Sequence, residues 1–137
     1  MATVREFMTT NPTSLDSGAS ITDAAKAMRD GDFGSVPVVD EGRLVGVVTD
    51  RDIVIRAVAE GAEGTASIAR FMSTDTITVE PTDDLDEVRA KLSKHALRRV
   101  PVVESGNLVG MLALGDLAEQ GKDADVLKDV SAAAPSD

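Results

Sequence analysis

Short runs of β-branched residues alternate with helical patterns along the chain, and they do so twice in the same order. Val-rich runs at residues 36–39 and 44–48 flank a glycine-containing turn, and matching runs at 100–103 and 108–112 flank another. β-Branched runs joined by a few turn residues predict antiparallel hairpins. We therefore expect two hairpins.

An amphipathic helix is predicted before each hairpin. Ser20 and Asp23 have the spacing of a capping box, and apolar residues recur at helical intervals over residues 21–28. In the second copy Asp84 precedes a similar stripe over residues 85–92. Both helices have one apolar face, so both are expected to cover a sheet.

Further elements complete each copy. A short strand is predicted ahead of each helix, at 13–15 and 77–79, and another helix after each hairpin, from about Thr49 and Leu114. The helix after Thr49 is apolar on more than one face and needs burial on two sides. A second copy of the chain can supply that burial, so we expect a homodimer.

The order of elements reflects a sequence repeat. VPVVDEGRLVG begins at Val36 and VPVVESGNLVG begins at Val100, so the copies lie 64 residues apart, and the offset holds from Val4 to about Gly121. A fixed period makes the half-chain the structural unit. The expected division is a first repeat at 1–61, a linker at 62–67, a second repeat at 68–121 and a flexible tail at 122–137.

Composition narrows the possible classes of protein. The 137 residues suffice for one compact domain, and 24 acidic against 14 basic residues give a net charge of −10. That charge repels phosphate backbones, and the lack of Trp and Tyr removes rings for base stacking, so no nucleic-acid partner is expected. With no cysteine, no signal-peptide pattern and no apolar run of the ~20 residues that a membrane span needs, we expect a cytoplasmic protein without a membrane partner.

The sharpest candidate for chemistry lies where the first hairpin runs into its following helix. An ionised Asp52 can accept hydrogen bonds from two neighbouring sugar hydroxyls, while Thr49 can bond a ribose or phosphate oxygen. The same Thr-x-x-Asp spacing is that of a capping box, which only satisfies helix donors. The second repeat keeps the acid as Asp116 but has Ala113 instead of threonine, so two sites would differ.

Two adjacent arginines, Arg98 and Arg99, precede the second hairpin of this acidic chain. Paired guanidinium groups suit bidentate recognition of a phosphate, although exposed ion pairs with surface carboxylates are an open alternative. The first repeat has Gly34 and Ser35 at the matching positions. The sole histidine, His95, falls near a predicted helix end, where the dipole favours imidazolium, and it lacks an evident nucleophile or metal partner, so no catalytic or metal site is predicted.

These motifs, twice in the same order, resemble the CBS (cystathionine β-synthase) domain, and the tandem resembles a Bateman module. The resemblance rests on Phe-Met near the start of each copy, Val-Pro-Val-Val in each hairpin and Gly-x-x-Thr-x-x-Asp after the first, and it spans about residues 4–121. Thr-Asp-Arg-Asp-Ile-Val-Ile-Arg after Gly-Val-Val is especially similar to stand-alone bacterial two-domain CBS proteins of the hypoxic response protein type.

The resemblance implies an α/β (α+β) fold of two β-α-β-β-α repeats packed sheet to sheet with pseudo-twofold symmetry. It implies clefts between the repeats that bind AMP, ADP, ATP or S-adenosylmethionine, as a ligand rather than a required cofactor. The nucleotide-binding residues that it assigns are Thr49, Asp52, Arg98, Arg99, the main chain around Thr13 and Val36, and, in a weaker second cleft, Asp116.

Two functions from different classes agree with these residues. The leading hypothesis is a regulatory sensor module, whose adenine-nucleotide ligand bridges the repeats and whose output passes to an unknown downstream protein. The alternative is a ligand-free structural or protein-interaction module that acts through homodimerisation. No nucleophile and base can be paired from this inventory, so an enzyme is not expected.

Overall fold

The computed structural model describes residues 2–115, so most of the helix predicted from Leu114 lies outside the described residues. The helices are α1 (Val4–Phe7), α2 (Ile21–Gly31), a π-helix (Asp52–Val58), a 3-10 helix (Ile68–Arg70) and α3 (Leu85–Lys94). The strands are β1 (Thr9–Thr10), β2 (Leu15–Asp16), β3 (Ser35–Asp40), β4 (Arg43–Thr49), β5 (Arg99–Glu104) and β6 (Asn107–Ala113). Both predicted hairpins are present.

The chain forms two compact units of different make-up. The central unit is the continuous stretch Thr13–Thr76, and the composite unit joins the residues up to Pro12 with those from Ile77 onward. The boundaries of the sequence repeats, at 1–61 and 68–121, stay a prediction, and the predicted tail at 122–137 lies outside the described residues.

In the central unit, β3 is flanked by two strands. It pairs antiparallel with β4, where Ser35 lies opposite Thr49, and parallel with β2, where Leu15 lies opposite Val38. On the far side of β4, Ser73 and Val47 exchange two backbone hydrogen bonds of 2.9 Å. The helix α2 begins as predicted, because Ser20 accepts from the Asp23 amide and Asp23 accepts from the Ser20 amide.

The composite unit repeats this arrangement with different segments. The strand β6 pairs antiparallel with β5 on one side and with β1 on the other, where Thr9 lies opposite Met111. The strand predicted at 77–79 is reduced to one bridging residue, Val79, which accepts from the Val103 amide and donates to the Pro101 carbonyl. Only Val79 of that segment reaches β5.

Each core includes a short segment that we call a strap: the first strap is Thr3–Thr10 and the second strap is Ser67–Ser73. Val4 of the first strap is fully buried in the composite core, and Ile68 of the second is fully buried in the central core. The first strap therefore belongs to the unit built from the second hairpin. The buried side chains packed with Val4 are Val79, Leu85, Val88, Leu92, Val100, Val102, Leu112 and Leu114.

The π-helix carries apolar side chains both on its buried side and on its exposed side. Its Ala57 is fully buried and packs with Ile21 and Phe71. Three large apolar side chains on the same helix remain exposed, namely Val54 (56%), Ile55 (51%) and Val58 (62%). The sequence-based expectation of apolar residues on more than one face is confirmed, and one face has no cover among the described residues.

Candidate functional site

One end of the central sheet brings together most of the residues predicted in the first repeat. Thr49 is the last residue of β4 and lies opposite Ser35, the first of β3. The strand β2 is parallel to β3 and begins at Leu15, opposite Val38, so Thr13 precedes it on the side where β3 begins. The side chain of Val36 is fully buried in the core, so only its main chain can face a ligand.

Thr49 and Asp52 cap the helix by two reciprocal hydrogen bonds. The Thr49 amide donates to Oδ2 of Asp52 at 3.0 Å, and the Asp52 amide donates to Oγ1 of Thr49 at 3.0 Å. The capping interpretation of the Thr-x-x-Asp motif is therefore confirmed. Both side chains can still form further hydrogen bonds, because the Thr49 hydroxyl can donate its hydrogen and the Asp52 carboxylate can accept several bonds.

The second carboxylate oxygen of Asp52 faces a cation. Nη1 of Arg56 lies 3.9 Å from Oδ1 of Asp52, one helical turn along the chain. The Asp52 side chain is 13% exposed and the Arg56 side chain 47%. Sequence reasoning missed Arg56, although its spacing of four residues from Asp52 is the signal that could have revealed it.

The composite unit places the predicted arginines at the corresponding end of its own sheet. Arg99 is the first residue of β5 and lies opposite Ala113, the last of β6. The Arg98 carbonyl accepts from the Leu114 amide at 2.7 Å, and both arginines are half-buried. Ala113 has no hydroxyl to match Thr49, and Asp116 lies outside the described residues.

The surroundings of possible metal ligands and of the sole histidine can be described for residues 2–115. Residues 2–115 contain no group of three or more His, Asp or Glu side chains that could hold a metal ion. His95 is exposed at the end of α3, where its amide donates to the Lys91 carbonyl at 3.2 Å. Over the same residues, no helix combines the length and apolar character that crossing a membrane requires.

Two stretches of the sequence match the family model of the CBS domain, residues 4–58 and 68–123. The chain belongs to the CBS domain family. It is 38% identical over 118 residues to the CBS domain-containing protein YhcV of Bacillus subtilis, covering 86% of this chain and 84% of YhcV. It is 35% identical over 120 residues to hypoxic response protein 1 of Mycobacterium tuberculosis, with 86% and 84% covered. The resemblance seen in the motifs is thus confirmed.

Solved CBS structures agree with the mixed α/β fold. CBSX2 in complex with AMP has a TM-score of 0.77 and 25% identity, covering 88% of this chain and 96% of CBSX2. The CBS domain pair of MJ0100, solved with 5′-methylthioadenosine and S-adenosyl-L-methionine, has a TM-score of 0.73 and 30% identity, with 88% and 96% covered. Relatives of this chain therefore bind adenosine-containing ligands.

Proposed function

We propose that this chain is a regulatory module that binds an adenosine-containing ligand through Thr49 and Asp52. Two structural relatives bind such ligands, AMP in one case and 5′-methylthioadenosine with S-adenosylmethionine in the other. The observation that carries the proposal is the reciprocal Thr49–Asp52 pair, which is held rigidly by backbone amides while Oδ1 of Asp52 has no backbone donor among the described residues.

The chemistry of the pair suits a ribose. Asp52 is largely shielded from solvent, so hydrogen bonds from two sugar hydroxyls to its carboxylate would be charge-assisted and stronger than in water. The Thr49 hydroxyl would donate to a ribose or phosphate oxygen. Binding regulates only if the ligand has different affinities for two states of the protein.

Calorimetric titration with AMP, ATP and S-adenosylmethionine tests this proposal. Asp52→Ala should weaken binding about tenfold or more, because hydrogen bonds to a charged group contribute about 1.5–3 kcal/mol. The control is Asp23→Ala, which removes a carboxylate from an equivalent capping box on α2 and should leave affinity within about twofold. Equal losses in both variants, or no binding of any of the three ligands at millimolar concentration, would contradict the proposal.

The phosphate contact that the family pattern assigns to Arg98 and Arg99 is also part of this proposal. Replacing both by Gln should weaken AMP but leave adenosine nearly unchanged, because only AMP carries the charge that they would meet. Asp116→Ala should retain most of the binding, since its repeat has Ala113 in place of Thr49.

Pairing of two chains through the exposed apolar face is the basis of the alternative, a ligand-free interaction module. The favouring observation is that Val54, Ile55 and Val58 are each more than half exposed, and such a patch marks an interaction surface. A second copy is the partner that we propose. Sedimentation velocity should show a dimer that Val58→Lys converts to a monomer. The control is Ala25→Lys, at an exposed position of α2, which should leave the dimer intact; a monomeric wild-type chain would refute the pairing.

A further inference from the structure

Arg56 places a positive charge beside the carboxylate that is proposed to hold the ribose. Its Nη1 atom lies 3.9 Å from Oδ1 of Asp52, too far for a hydrogen bond but close enough for a direct charge interaction. The other oxygen, Oδ2, is held by the Thr49 amide. Asp52 is therefore fixed from one side and faces a cation on the other.

The Arg56 side chain is exposed enough to exchange one anionic partner for another. It is 47% exposed, whereas Asp52 is 13% exposed, and a long, solvated arginine changes rotamer at little cost. The planar guanidinium can bond two oxygens of one phosphate at the same time, whereas it faces only one oxygen of Asp52, at 3.9 Å. A ligand with a suitable anion would draw it away from Asp52.

We propose that Arg56 selects among adenosine ligands by the charge at their 5′ position. This inference rests on the proposed function and deepens it. The ligands bound by the two structural relatives share adenosine but differ at that position: AMP carries a phosphate, S-adenosylmethionine a cationic sulfonium, and 5′-methylthioadenosine a neutral thioether. Charge is therefore one property that distinguishes the three ligands.

The geometry gives this selection its direction. In the proposed pose the 2′ and 3′ hydroxyls of a ribose bond to Asp52, and the 5′ carbon is attached to the other side of the same ring. Arg56 lies one helical turn along the chain with Nη1 3.9 Å from Oδ1 of Asp52, and we place it beside that 5′ group. Arg56 attracts a phosphate there and repels a sulfonium. This chain is expected to prefer phosphate-bearing adenosine ligands over S-adenosylmethionine.

The test is a calorimetric comparison of AMP, S-adenosylmethionine and 5′-methylthioadenosine on the full chain and its Arg56→Gln variant. AMP should bind the variant about fivefold more weakly and S-adenosylmethionine about twofold more tightly, the range of a partly exposed charge interaction. Neutral 5′-methylthioadenosine should change by less than about twofold, and Arg56→Lys should recover most of the AMP affinity. The control is Arg29→Gln, which removes the same charge beside Asp30 on α2 and should alter no ratio.

The outcomes separate this inference from the proposed function. If 5′-methylthioadenosine binds but Arg56→Gln leaves the ratio of AMP to S-adenosylmethionine affinities unchanged, the charge selection by Arg56 is wrong and the adenosine site stands. An equal shift in Arg29→Gln would also overturn it, because net charge rather than position would then be responsible. If none of the three ligands binds the wild-type chain, the site and its selector are both wrong. A circular-dichroism spectrum checks that each variant is folded.

Discussion

Truncating Val4 should loosen the part of the molecule built from the second hairpin, although Val4 lies at the start of the first repeat. Val4 is fully buried among side chains of α3, β5 and β6. Its amide donates to the Asp83 carbonyl at 3.1 Å, and the next amide, of Arg5, donates to the Pro81 carbonyl at 2.9 Å. The first strap is thus bound by side chain and backbone to the composite unit.

The magnitude follows from the lost contacts. Val4→Ala removes two methyl groups from a closed core, at about 0.8 kcal/mol of transfer free energy each, and leaves a small cavity. The composite unit should lose about 2 kcal/mol, which corresponds to about a thirtyfold rise in its opening constant, since 1.4 kcal/mol is tenfold. Native-state amide hydrogen exchange measures such openings segment by segment.

The expected result is faster exchange in α3, β5 and β6 with little change in α2, β3 and β4. Ile68→Ala is the matched control, because Ile68 occupies the equivalent place in the second strap and is fully buried in the central core. It should produce the reverse pattern, with a loss of about 3 kcal/mol. An equal increase in both units for Val4→Ala, or a larger one in the central unit, would refute the reasoning.

Two further predictions concern single positions in the central unit. Gly46→Ala would place a Cβ 2.7 Å from Sδ of Met72 and 2.8 Å from the Ser73 carbonyl oxygen; the sulfur can move but the bonded backbone cannot, so a loss of about 1–3 kcal/mol is expected in denaturant unfolding. Gly115→Ala is the control, because apart from its chain neighbours no atom of residues 2–115 lies within 4 Å of the added Cβ, and equal losses would contradict the packing argument. For α2, hydrogen bonds from the backbone and then the side chain of Ser20 lower the pKa of Asp23 below its ordinary value of 3.8. Because the folded-state pKa is the lower one, the carboxylate contributes stability above pH 3.8 that is lost as the pH falls through its folded-state pKa. Asp23→Asn should therefore melt below wild type at neutral pH and approach it under strongly acidic conditions; a gap that is constant with pH would show that the charge is irrelevant.

Local patterns were enough to predict the hairpins, the cap of α2 and the start of α3. β-Branched runs around Gly42 and Gly106 specify the strands, and Ser20 and Asp84 cap their helices through bonds to nearby amides. These features depend on residues within a few positions of one another. The two interpretations of Thr49 and Asp52 could not be separated in sequence, because a cap and a ribose contact need the same residue types.

Features that depend on distant partners were missed. Phe7 and Met8 recur in the second repeat as Phe71 and Met72, a pattern that indicates burial. It does not indicate which hairpin each strap packs against. The π-helix has the same apolar pattern as an α-helix, and that pattern does not distinguish hydrogen bonds four residues apart from hydrogen bonds five residues apart. Arg56 is a different case, because its spacing of four residues from Asp52 is a local signal that was overlooked.

The assignment of the first strap to the composite unit has a consequence for synthesis on the ribosome. Residues up to Pro12 leave the exit tunnel before the central unit does, yet the strands and helix that bury Val4 come only after all of Thr13–Thr76 has been made. At about 5–20 residues per second, the nascent strap stays without its partners for several seconds. In chain order the central unit is an insertion in the composite unit. Its synthesis is complete before the second part of the composite unit has been made.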